Sequence, residues 1–476
     1  MSRKRGVSII QKEFIQFKGD TFMARLFGTD GVRGVAGSEL TPELAINIGR
    51  AAAAVLTKHS NKKATVLIGK DTRISGDMLE SALCAGLCSV GADVKLCGVV
   101  PTPAIAYLVK KYGCDAGVVI SASHNPMEFN GIKIFNGEGY KLADEIENEI
   151  EALILDTPEK IVNVTGGEMG TVSAIDTAVR DYVDHIKEAC EADFSHLKVV
   201  FDCANGAASM TAPILFTELG VQATFIGAEP DGTNINAGCG STHLDKLAAY
   251  VKENGFDCGI AFDGDADRCL AVDENGDEID GDKIIAILAT RMKAAGKLAQ
   301  DTAVVTVMSN LGFMKHMEKR GIATRTTAVG DRYVLEEMLA KGYNIGGEQS
   351  GHVILSDFAT TGDGQLTAVA LLNNFAKETD KKVSGFNGCY SKYPQVLINI
   401  KTTAEGKAFY KKDEYIEGFI EAKQQQLMGA GRVLVRLSGT EPLIRVMVEG
   451  ESLEKITDVA NEIVEKIKER LATIGA

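Results

Sequence analysis

The sequence lacks several features that would define its class at once. It has no apolar run of the ~18 residues that suggest a membrane-spanning helix. It has no C-x-x-C pair, and its ten cysteines are scattered from Cys84 to Cys389. Cys84 and Cys88 are spaced as on an apolar helix face. This distribution favours a reduced, cytoplasmic protein with buried thiols over a disulfide framework.

Positive charge is scarce as well. The chain has 51 Lys and Arg against 65 Asp and Glu, which gives a formal net charge of −14. That balance argues against nucleic acid or an anionic membrane as the main partner. A small anionic substrate remains compatible with it, provided that Arg and Lys cluster locally.

The first 22 residues differ from the rest of the chain. They carry five Lys and Arg against two Asp and Glu, so +3, which leaves −17 for the remainder. Their apolar pieces, "VSII" and "FIQF", are too short for a signal-peptide core. Strong patterning begins at Met23 with "MARLFGTDGVRG". We interpret residues 1–22 as an accessory extension or as the result of a start codon placed too early.

The remaining length suffices for three or four domains, and a strand–helix–strand pattern occurs three times in it. Each copy begins with a β-branched run, and a second run opened by Gly follows about 18 to 25 residues later. The first runs are "TVLIGKDTR" (65–73), "KVVFDCANG" (198–206) and "AVVTVMSN" (303–310). The second runs are "GADVKLCG" (91–98), "GVQATFIG" (220–227) and "GIATRTTAVG" (321–330). This pattern predicts βαβ units that form sheets covered by helices.

A third run in each copy ends in a polar loop. These runs are "GVVISASHNP", "CGIAFDGDADR" and "YNIGGEQSGH". In open α/β sheets, ligands bind at the carboxyl ends of the strands. Three loops of different chemistry at the same topological position therefore predict that three domains turn them toward a common cleft.

From about residue 391 the pattern changes to a small α+β domain. "QVLINIKT" and "GRVLVRLSGTEPLIRVMVEG" predict strands, and "SLEKITDVANEIVEKIKERL" predicts an amphipathic helix that begins at a serine N-cap. The resulting division of the chain is a basic extension, 1–22, followed by four domains. These are 23–174, 175–278, 279–390 and 391–476.

The loop "DGDADR" can place Asp263, Asp265 and Asp267 on one side of the chain. Clustered carboxylates repel one another unless a cation neutralises them, and hard oxygen ligands suit Mg²⁺ or Ca²⁺. An EF-hand would also begin D-x-D-x-D, and Glu274 occupies its twelfth position. However, Arg268 stands where that loop needs Gly, and β-like segments flank it. A Mg²⁺-type site and a solvated acidic loop remain the two interpretations.

Ser123 in "VISASHNP" is a candidate nucleophile, although an ordinary Ser/Asn/Pro turn has the same composition. A Ser-His-Asp hydrolase would show G-x-S-x-G, which is absent here. The side chain of the adjacent His124 should diverge from that of Ser123 in extended chain. A nucleophilic serine beside a divalent metal is suited instead to phosphoryl transfer.

Two further loops are candidates for substrate binding. In "RLSGTEPLIR", Arg436 and Arg445 can offer forked donors. The backbone of Ser438, Gly439 and Thr440 can form an anion nest, unless the stretch is only an exposed hairpin. In "GGEQSGH", Glu348 and Ser350 are spaced to hold sugar hydroxyls, and His352 follows them.

The ordered set "FGTDGVRG", "SASHNP", "DGDADR", "GEQSGH" and "RLSGTEP" resembles the α-D-phosphohexomutase superfamily, over essentially everything from Met23 onward. Within it the details are most similar to the phosphoglucosamine mutases of bacterial type, including "NGIK" and Gln349. The resemblance implies three related α/β domains with mixed sheets plus a C-terminal α+β domain, arranged around a central cleft. It also implies their roles: a phosphoserine domain (23–174), a metal-binding domain (175–278), a sugar-binding domain (279–390) and a phosphate-binding domain (391–476). The basic extension before Met23 departs from the usual start of the family.

The resemblance also implies roles for individual residues. Ser123 would be carried as phosphoserine, its phosphate joining Asp263, Asp265 and Asp267 on Mg²⁺. Residues that match supporting or acid/base positions are Arg33, His124, Lys133, Arg268 and His352. Residues that match substrate contacts are Glu348, Ser350, His352, Arg436, Ser438, Gly439, Thr440 and Arg445. Which residue moves the proton is left open.

The function that the resemblance implies is interconversion of glucosamine 6-phosphate and glucosamine 1-phosphate, for amino-sugar nucleotide synthesis in the cytoplasm. A glucosamine or glucose 1,6-bisphosphate would serve as intermediate or activator. The alternatives are a phosphoglucomutase or phosphomannomutase, and a catalytically silent sugar-phosphate binding protein. The expected partner is a small phosphosugar, with no nucleic acid or membrane, and a homodimer is one open option for the assembly.

Overall fold

The computed structural model describes residues 26–28, 31–56, 63–378, 382–427, 429–438 and 442–475, so the basic extension 1–22 lies outside the described residues. The first unit contains a six-stranded mixed sheet with the strand order β1-β5-β4-β2-β3-β6. Its elements are β1 (Val32–Val35), α1 (Pro42–Leu56), β2 (Thr65–Lys70), α2 (Gly76–Ser89), β3 (Asp93–Val99), α3 (Thr102–Lys111), β4 (Ala116–Ile120), β5 (Phe129–Asn136), α4 (Asp144–Leu155) and β6 (Val172–Ala174).

The second and third units repeat the same plan with smaller sheets, ordered β11-β10-β9-β7-β8 and β13-β12-β14-β15. The second unit consists of α5 (Ala178–Lys187), β7 (Lys198–Asp202), α6 (Ala208–Glu218), β8 (Gln222–Ile226), α7 (Asp245–Asn254), β9 (Cys258–Phe262), β10 (Cys269–Asp273) and β11 (Glu278–Ile279). The third consists of α8 (Gly281–Ala294), β12 (Thr302–Thr306), α9 (Leu311–Lys319), β13 (Ala323–Thr327), α10 (Asp331–Lys341), β14 (Ile345–Gly347), β15 (Val353–Leu355), α11 (Gly364–Lys377) and α12 (Val383–Asn387).

The C-terminal unit has a three-stranded antiparallel sheet, ordered β16-β18-β17, with helices packed against it. Its elements are β16 (Gln395–Lys401), α13 (Ala404–Tyr410), α14 (Glu414–Gln426), β17 (Gly431–Leu437), β18 (Leu443–Gly450) and α15 (Leu453–Ala472). The side chain of Ser452 accepts a hydrogen bond from the backbone N–H of Lys455, which is the N-cap expected for α15.

The third run of each repeat forms a strand that is parallel to the first run and antiparallel to the strand after it. These strands are β4, β9 and β14, which pair with β2, β7 and β12, and they lead into β5, β10 and β15. All residues of β4, β9 and β14 are buried, as expected for strands covered on both faces. The three polar loops therefore start from equivalent carboxyl ends, and the predicted fold of three α/β units plus one α+β unit is confirmed.

The buried apolar side chains form separate cores that do not correspond one to one with the four units. One continuous core includes side chains from all of the first three units, from Leu67 to Phe386. The C-terminal unit has its own core, which includes Ile400, Ile444 and Ile463. All ten cysteines are free thiols, buried or half-buried. Within the described ranges, no helix combines the length and hydropathy that crossing a bilayer requires.

Candidate active site

Ser123 lies just beyond the end of β4 and is only 1% exposed. Its backbone has φ = 53°, in the left-handed region that residues other than glycine rarely adopt. Its hydroxyl Oγ donates a hydrogen bond of 2.6 Å to Oδ2 of Asp263 in the loop after β9. The first and second units thus place a buried hydroxyl against a buried carboxylate. The left-handed conformation at Ser123 costs free energy, so contacts around the loop must stabilise it.

His124 does not diverge from Ser123, contrary to the expectation from extended chain. Its Nδ1 lies 3.3 Å from Oγ of Ser123. The expectation was wrong because the left-handed turn at Ser123 brings the two side chains together. Burial, together with the positive charges of Arg268 and Arg33, lowers the pKa of His124 to about 4, so its imidazole is neutral near pH 7.

A buried arginine that the sequence analysis did not single out supports the Ser123 loop. The guanidinium of Arg73 donates to the backbone oxygens of Ser123 (3.0 Å) and Asn125 (2.8 Å), and also to those of Pro126 and Phe129. Its side chain is 0% exposed and pairs with Asp71 at 2.9 Å. Asp71 in turn accepts a hydrogen bond from Ser121, whose oxygen accepts from the Ser123 backbone N–H. The guanidinium of Arg73 therefore stabilises the backbone conformation of the Ser123 loop.

The second unit holds the same loop from the opposite side. The side-chain amide of Asn236 donates to the backbone oxygens of Ser123 (2.9 Å) and Asn125 (3.0 Å). Gly264 in "DGDADR" permits the approach, because a Cβ there would lie 2.5 Å from the Ser123 oxygen. The sequence feature that could have identified Arg73 as a site residue is its position in "GKDTR", just beyond the carboxyl end of β2.

We expect Arg73→Lys to fold but to lose activity about 10- to 100-fold, because an ammonium cannot reproduce the planar fork that spans several carbonyls. The lysine keeps a positive charge next to Asp71, so the loss of activity should come from the altered conformation of the Ser123 loop. Circular dichroism and steady-state kinetics would measure the two effects separately. Arg180→Lys, on an exposed ion pair of α5, is the matched control and should be active. Equal activity of the two variants would contradict the supporting role of Arg73.

Asp263, Asp265 and Asp267 form a cluster of three buried carboxylates, each offering an oxygen within 4.8 Å of the others. Burial and the charges of Asp267 and Asp265 raise the pKa of Asp263 well above its ordinary value. The loop runs from β9 to β10, so strands flank it and the EF-hand alternative is excluded.

The residues of this cluster fit a divalent cation with oxygen ligands. Oδ1 of Asp265 and Oδ1 of Asp267 are buried, and neither has a hydrogen-bond partner among the described residues. Buried polar oxygens without partners are costly, and a cation between them would remove that cost. Lys133 offsets part of the negative charge, because its Nζ lies 2.7 Å from Asp265 and 3.7 Å from Asp267.

Three of the predicted supporting or acid/base residues, Lys133, Arg268 and His352, lie within 4.0 Å of the aspartate cluster. Lys133 on β5 is 1% exposed, and Arg33 lies on β1, which pairs with β5. Arg268 forms a backbone bridge with His352, which joins the second and third units. Nδ1 of His352 lies 3.6 Å from Asp267, and its Nε2 lies 3.3 Å from Asp331. Burial alone would lower the pKa of His352, but Asp331 and Asp267 raise it to about 8.

The loop after β14 presents Glu348 and Ser350 together. Oε1 of Glu348 accepts a hydrogen bond from the backbone N–H of Gly330 at 3.0 Å, and Oε2 lies 3.4 Å from Oγ of Ser350. Gln349 differs, because its amide donates to the buried carboxylate of Asp280 at 3.1 Å. The carboxylate oxygens of Glu348 therefore lie beside the hydroxyl of Ser350, whereas Gln349 faces the start of α8.

In the C-terminal unit, Arg436 on β17 lies directly opposite Arg445 on β18. Burial and the charge of Arg445 lower the pKa of Arg436. The backbone N–H of Ser438 already donates to Leu443, so it is not available to the predicted anion nest, but Lys407 donates to the Ser438 carbonyl at 2.7 Å. Gly439 and Thr440 lie outside the described residues. Adjacent guanidiniums with a nearby ammonium are suited to binding an anion.

The four units agree with four domain models of the phosphoglucomutase/phosphomannomutase family. Its α/β/α domains I, II and III match residues 24–160, 180–276 and 280–393, and its C-terminal domain matches residues 397–466. The chain belongs to the phosphoglucomutase/phosphomannomutase family. The resemblance to the α-D-phosphohexomutases is thereby confirmed, and the chain is an isomerase of the phosphomutase class.

Relatives within this phosphomutase family are similar over their full length. A phosphoglucosamine mutase of Thermoanaerobacter pseudethanolicus is 54% identical over 449 residues, which cover 94% of this chain and 100% of the relative. A phosphoglucosamine mutase of Caldicellulosiruptor bescii is 55% identical over 452 residues, with 94% of this chain and 100% of the relative covered.

Solved structures of phosphomutases share the fold. A phosphoglucomutase/phosphomannomutase family protein from Burkholderia thailandensis has a TM-score of 0.77 at 25% identity, covering 92% of this chain and 97% of the other. The Aspergillus fumigatus N-acetylphosphoglucosamine mutase, solved in complex with GlcNAc-6P and magnesium, has a TM-score of 0.67 at 17% identity, with coverages of 94% and 96%.

Proposed function

We propose that the chain is a phosphoglucosamine mutase, which interconverts glucosamine 6-phosphate and glucosamine 1-phosphate through a phosphoserine at Ser123. The observation that carries this proposal is the Ser123 hydroxyl, held 2.6 Å from Asp263 inside a buried carboxylate cluster. Relatives that are 52–55% identical over the full length carry that name. A serine placed for phosphoryl transfer and the identity of the relatives support the same reaction.

The proposed reaction has two phosphoryl transfers. In the first, a hydroxyl of the monophosphate attacks the phosphorus of phosphoserine, the bond from phosphorus to Oγ breaks, and a base takes the hydroxyl proton. The product is a 1,6-bisphosphate. After this intermediate has turned over, Oγ of Ser123 attacks its other phosphate and the sugar oxygen regains a proton. The same serine is thus rephosphorylated, and the phosphate on the sugar has changed position.

Asp263, Asp265 and Asp267 would hold Mg²⁺, with the phosphate of phosphoserine as a further ligand. When bound, the cation offsets charge on the group being transferred. The protein's own contribution is to fix the donor set, since Lys133 and Thr102 both bind Oδ2 of Asp265, at 2.7 Å and 2.6 Å. These contacts orient Asp265 and leave its Oδ1 buried without a hydrogen-bond partner among the described residues.

We assign supporting roles to the residues around Ser123. Arg33 and Arg268 supply positive charge near the phosphoserine, and the neutral His124 contacts Oγ of Ser123. Lys133 and His352 are the two candidates for moving the substrate proton, because both reach the aspartate cluster from different units. The choice between them can be made from the effects of Lys133→Met and His352→Gln on turnover.

Glu348 and Ser350 would contact the sugar. A carboxylate near the substrate amine favours the charged ammonium, whereas glucose offers only a neutral hydroxyl at that position. Hydrogen bonds to charged groups contribute about 1.5–3 kcal/mol. We therefore expect preference for glucosamine phosphates, with Arg436, Arg445 and the Ser438 to Thr440 loop holding the phosphate that is not reacting.

A turnover assay on the phosphates of glucosamine, N-acetylglucosamine, glucose and mannose tests the proposal. The expected result is that glucosamine phosphate is favoured in kcat/KM by about tenfold or more. Equal efficiency on glucose or mannose phosphates would favour a phosphoglucomutase or phosphomannomutase. Binding without turnover by metal-loaded, phosphorylated protein would favour a silent sugar-phosphate binding protein. The free thiols and the small phosphosugar substrate are consistent with action in the cytoplasm.

Arg436→Ala should raise KM for either monophosphate about 10- to 100-fold, because one charge-assisted contact to the distal phosphate is lost. Phosphorylation of Ser123 and binding of Mg²⁺ should persist, since both depend on other domains. Arg470→Ala, on α15 and paired with Asp413 of the same unit, provides a control for the loss of an arginine from this unit. A wild-type KM for Arg436→Ala would assign the phosphate anchor to other residues.

A further inference from the structure

The C-terminal unit meets the third unit through buried polar groups. Glu449 on β18 is 1% exposed and pairs with Arg432 at 2.6 Å. It also accepts hydrogen bonds from the side chain of Asn310 (2.9 Å) and from the backbone of Leu311 (3.3 Å), both just beyond β12. Because the apolar cores on the two sides are separate, opening this junction would not divide an apolar core.

The first turn of α8 lies between this junction and the loop that carries Glu348. Asp282 accepts a hydrogen bond of 2.6 Å from the backbone N–H of Asn310. The backbone N–H of Gly281 donates to the carbonyl of Gln349 at 2.9 Å. A Cβ at Gly281 would lie only 2.0 Å from the Glu348 carbonyl, so the helix start and the loop are in tight contact.

Asp280, the N-cap of α8, is 2% exposed and connects three segments of the chain. Its Oδ1 caps the helix by accepting from the backbone N–H of Lys283 at 3.0 Å. Its Oδ2 accepts from the amide of Gln349 at 3.1 Å and from the ammonium of Lys392 at 2.7 Å. Lys392 belongs to the linker between α12 and β16, so one oxygen binds both the Glu348 loop and the segment that attaches the C-terminal unit.

We propose that Asp280 is a positioning residue that couples the Glu348–Ser350 loop to the seating of the C-terminal unit, so that the bisphosphate intermediate is retained. The proposal rests on the mutase function. In this proposal the C-terminal unit swings on its linker while the bisphosphate turns, and Lys392, three residues before β16, then loses its contact with Asp280. The ion pair between Lys392 and Asp280 favours the position in which the C-terminal unit packs on the third unit. Because Gln349 donates to the same oxygen of Asp280, the position of the Glu348–Ser350 loop depends on that ion pair.

The test is the requirement for added 1,6-bisphosphate during turnover of glucosamine 6-phosphate. Lys392→Met should raise the half-activating concentration of bisphosphate about fivefold, in keeping with one partly exposed ion pair. It should also release more bisphosphate into solution per turnover, while phosphoserine content is unchanged. Lys392→Arg keeps the charge and should behave like the wild type.

Lys315→Met is the matched control. Its side chain is 42% exposed, as that of Lys392 is, and its ammonium bridges the same two units by binding Tyr393 and Gly429. Among the residues that the structure describes, Lys315 does not contact Asp280, so Lys315→Met should leave the bisphosphate requirement unchanged. An unchanged requirement in Lys392→Met, or an equal rise in both variants, would overturn the proposal.

A second readout does not depend on activity. Amide hydrogen exchange at residues 348–352 should be faster in Lys392→Met than in Lys315→Met, because only Lys392→Met removes a hydrogen-bond partner of Asp280. Equal exchange in both variants would refute the coupling even if the wild type proved inactive on every phosphosugar. Wild-type inactivity with faster exchange in Lys392→Met would instead refute the mutase function and leave the coupling of loop and linker in place.

Discussion

Ser123→Ala is expected to lower kcat by about 1,000-fold or more, because the group that carries the phosphoryl is removed. The substitution deletes the 2.6 Å contact with Asp263 and nothing larger than a hydroxyl. Intact-mass analysis should show that the phosphorylated form, present in the wild type, is absent from the variant. Turnover on glucosamine phosphate gives the kinetic effect.

Ser121→Ala is the control for this result, because Ser121 is equally buried and only two residues away. Its hydroxyl joins Asp71 to the Ser123 backbone, so we expect lower stability and a moderate loss of activity, with phosphorylation retained. Wild-type turnover in Ser123→Ala would remove this serine from the mechanism. A small residual rate would not, since water or a neighbouring group can accept the phosphoryl group slowly.

Asp263→Asn and Asp265→Asn should both lower Mg²⁺-dependent activity by about 100-fold or more but shift metal-free stability in opposite directions. Asp263 has two carboxylate neighbours and no ion-pair partner among the described residues. A neutral amide at this position removes the free-energy cost of burying a carboxyl group beside two other carboxylates, so Asp263→Asn should stabilise the metal-free fold by about 1 kcal/mol. Asp265 is the 2.7 Å partner of buried Lys133, so its replacement should destabilise the fold by about 1–3 kcal/mol.

Chemical denaturation in the presence of a chelator measures these two shifts, and a Mg²⁺ titration of activity measures the loss. Glu218→Gln, on an exposed acidic residue of α6, controls for the removal of one negative charge from an acidic protein. Destabilisation of the metal-free protein by Asp263→Asn would contradict the repulsion argument. Unchanged Mg²⁺ dependence in both aspartate variants would place the cation elsewhere.

The sequence predicted the strands of the three repeats and the loops at their carboxyl ends, because hydrophobic runs and the βαβ order are local properties. It also predicted "DGDADR" as a cluster, since alternate residues of one short loop cannot separate widely. The structure confirms these strands and brings the three aspartates together. The roles assigned to individual site residues stay predictions until the variants are measured.

The supporting residues could not be predicted in the same way. Arg73 and Asn236 act on Ser123 from 50 and 113 residues away, and Asp280 meets Lys392 across 112 residues. Such contacts depend on how complete units pack, which no local pattern specifies. The contact of His124 with Ser123 was missed for a different reason, because a left-handed φ at serine is unfavourable and cannot be inferred from composition.

The separate core of the C-terminal unit has a consequence for protein engineering. Its apolar contacts are internal, and Glu449, Arg432 and Asn310 form much of its attachment. A C-terminal unit from another phosphomutase could therefore replace this one if those three side chains and the Lys392 linker were kept. Such a chimaera would exchange one phosphate-holding sheet for another and leave the serine and the aspartate cluster untouched. The distal half of substrate recognition would then be a replaceable module.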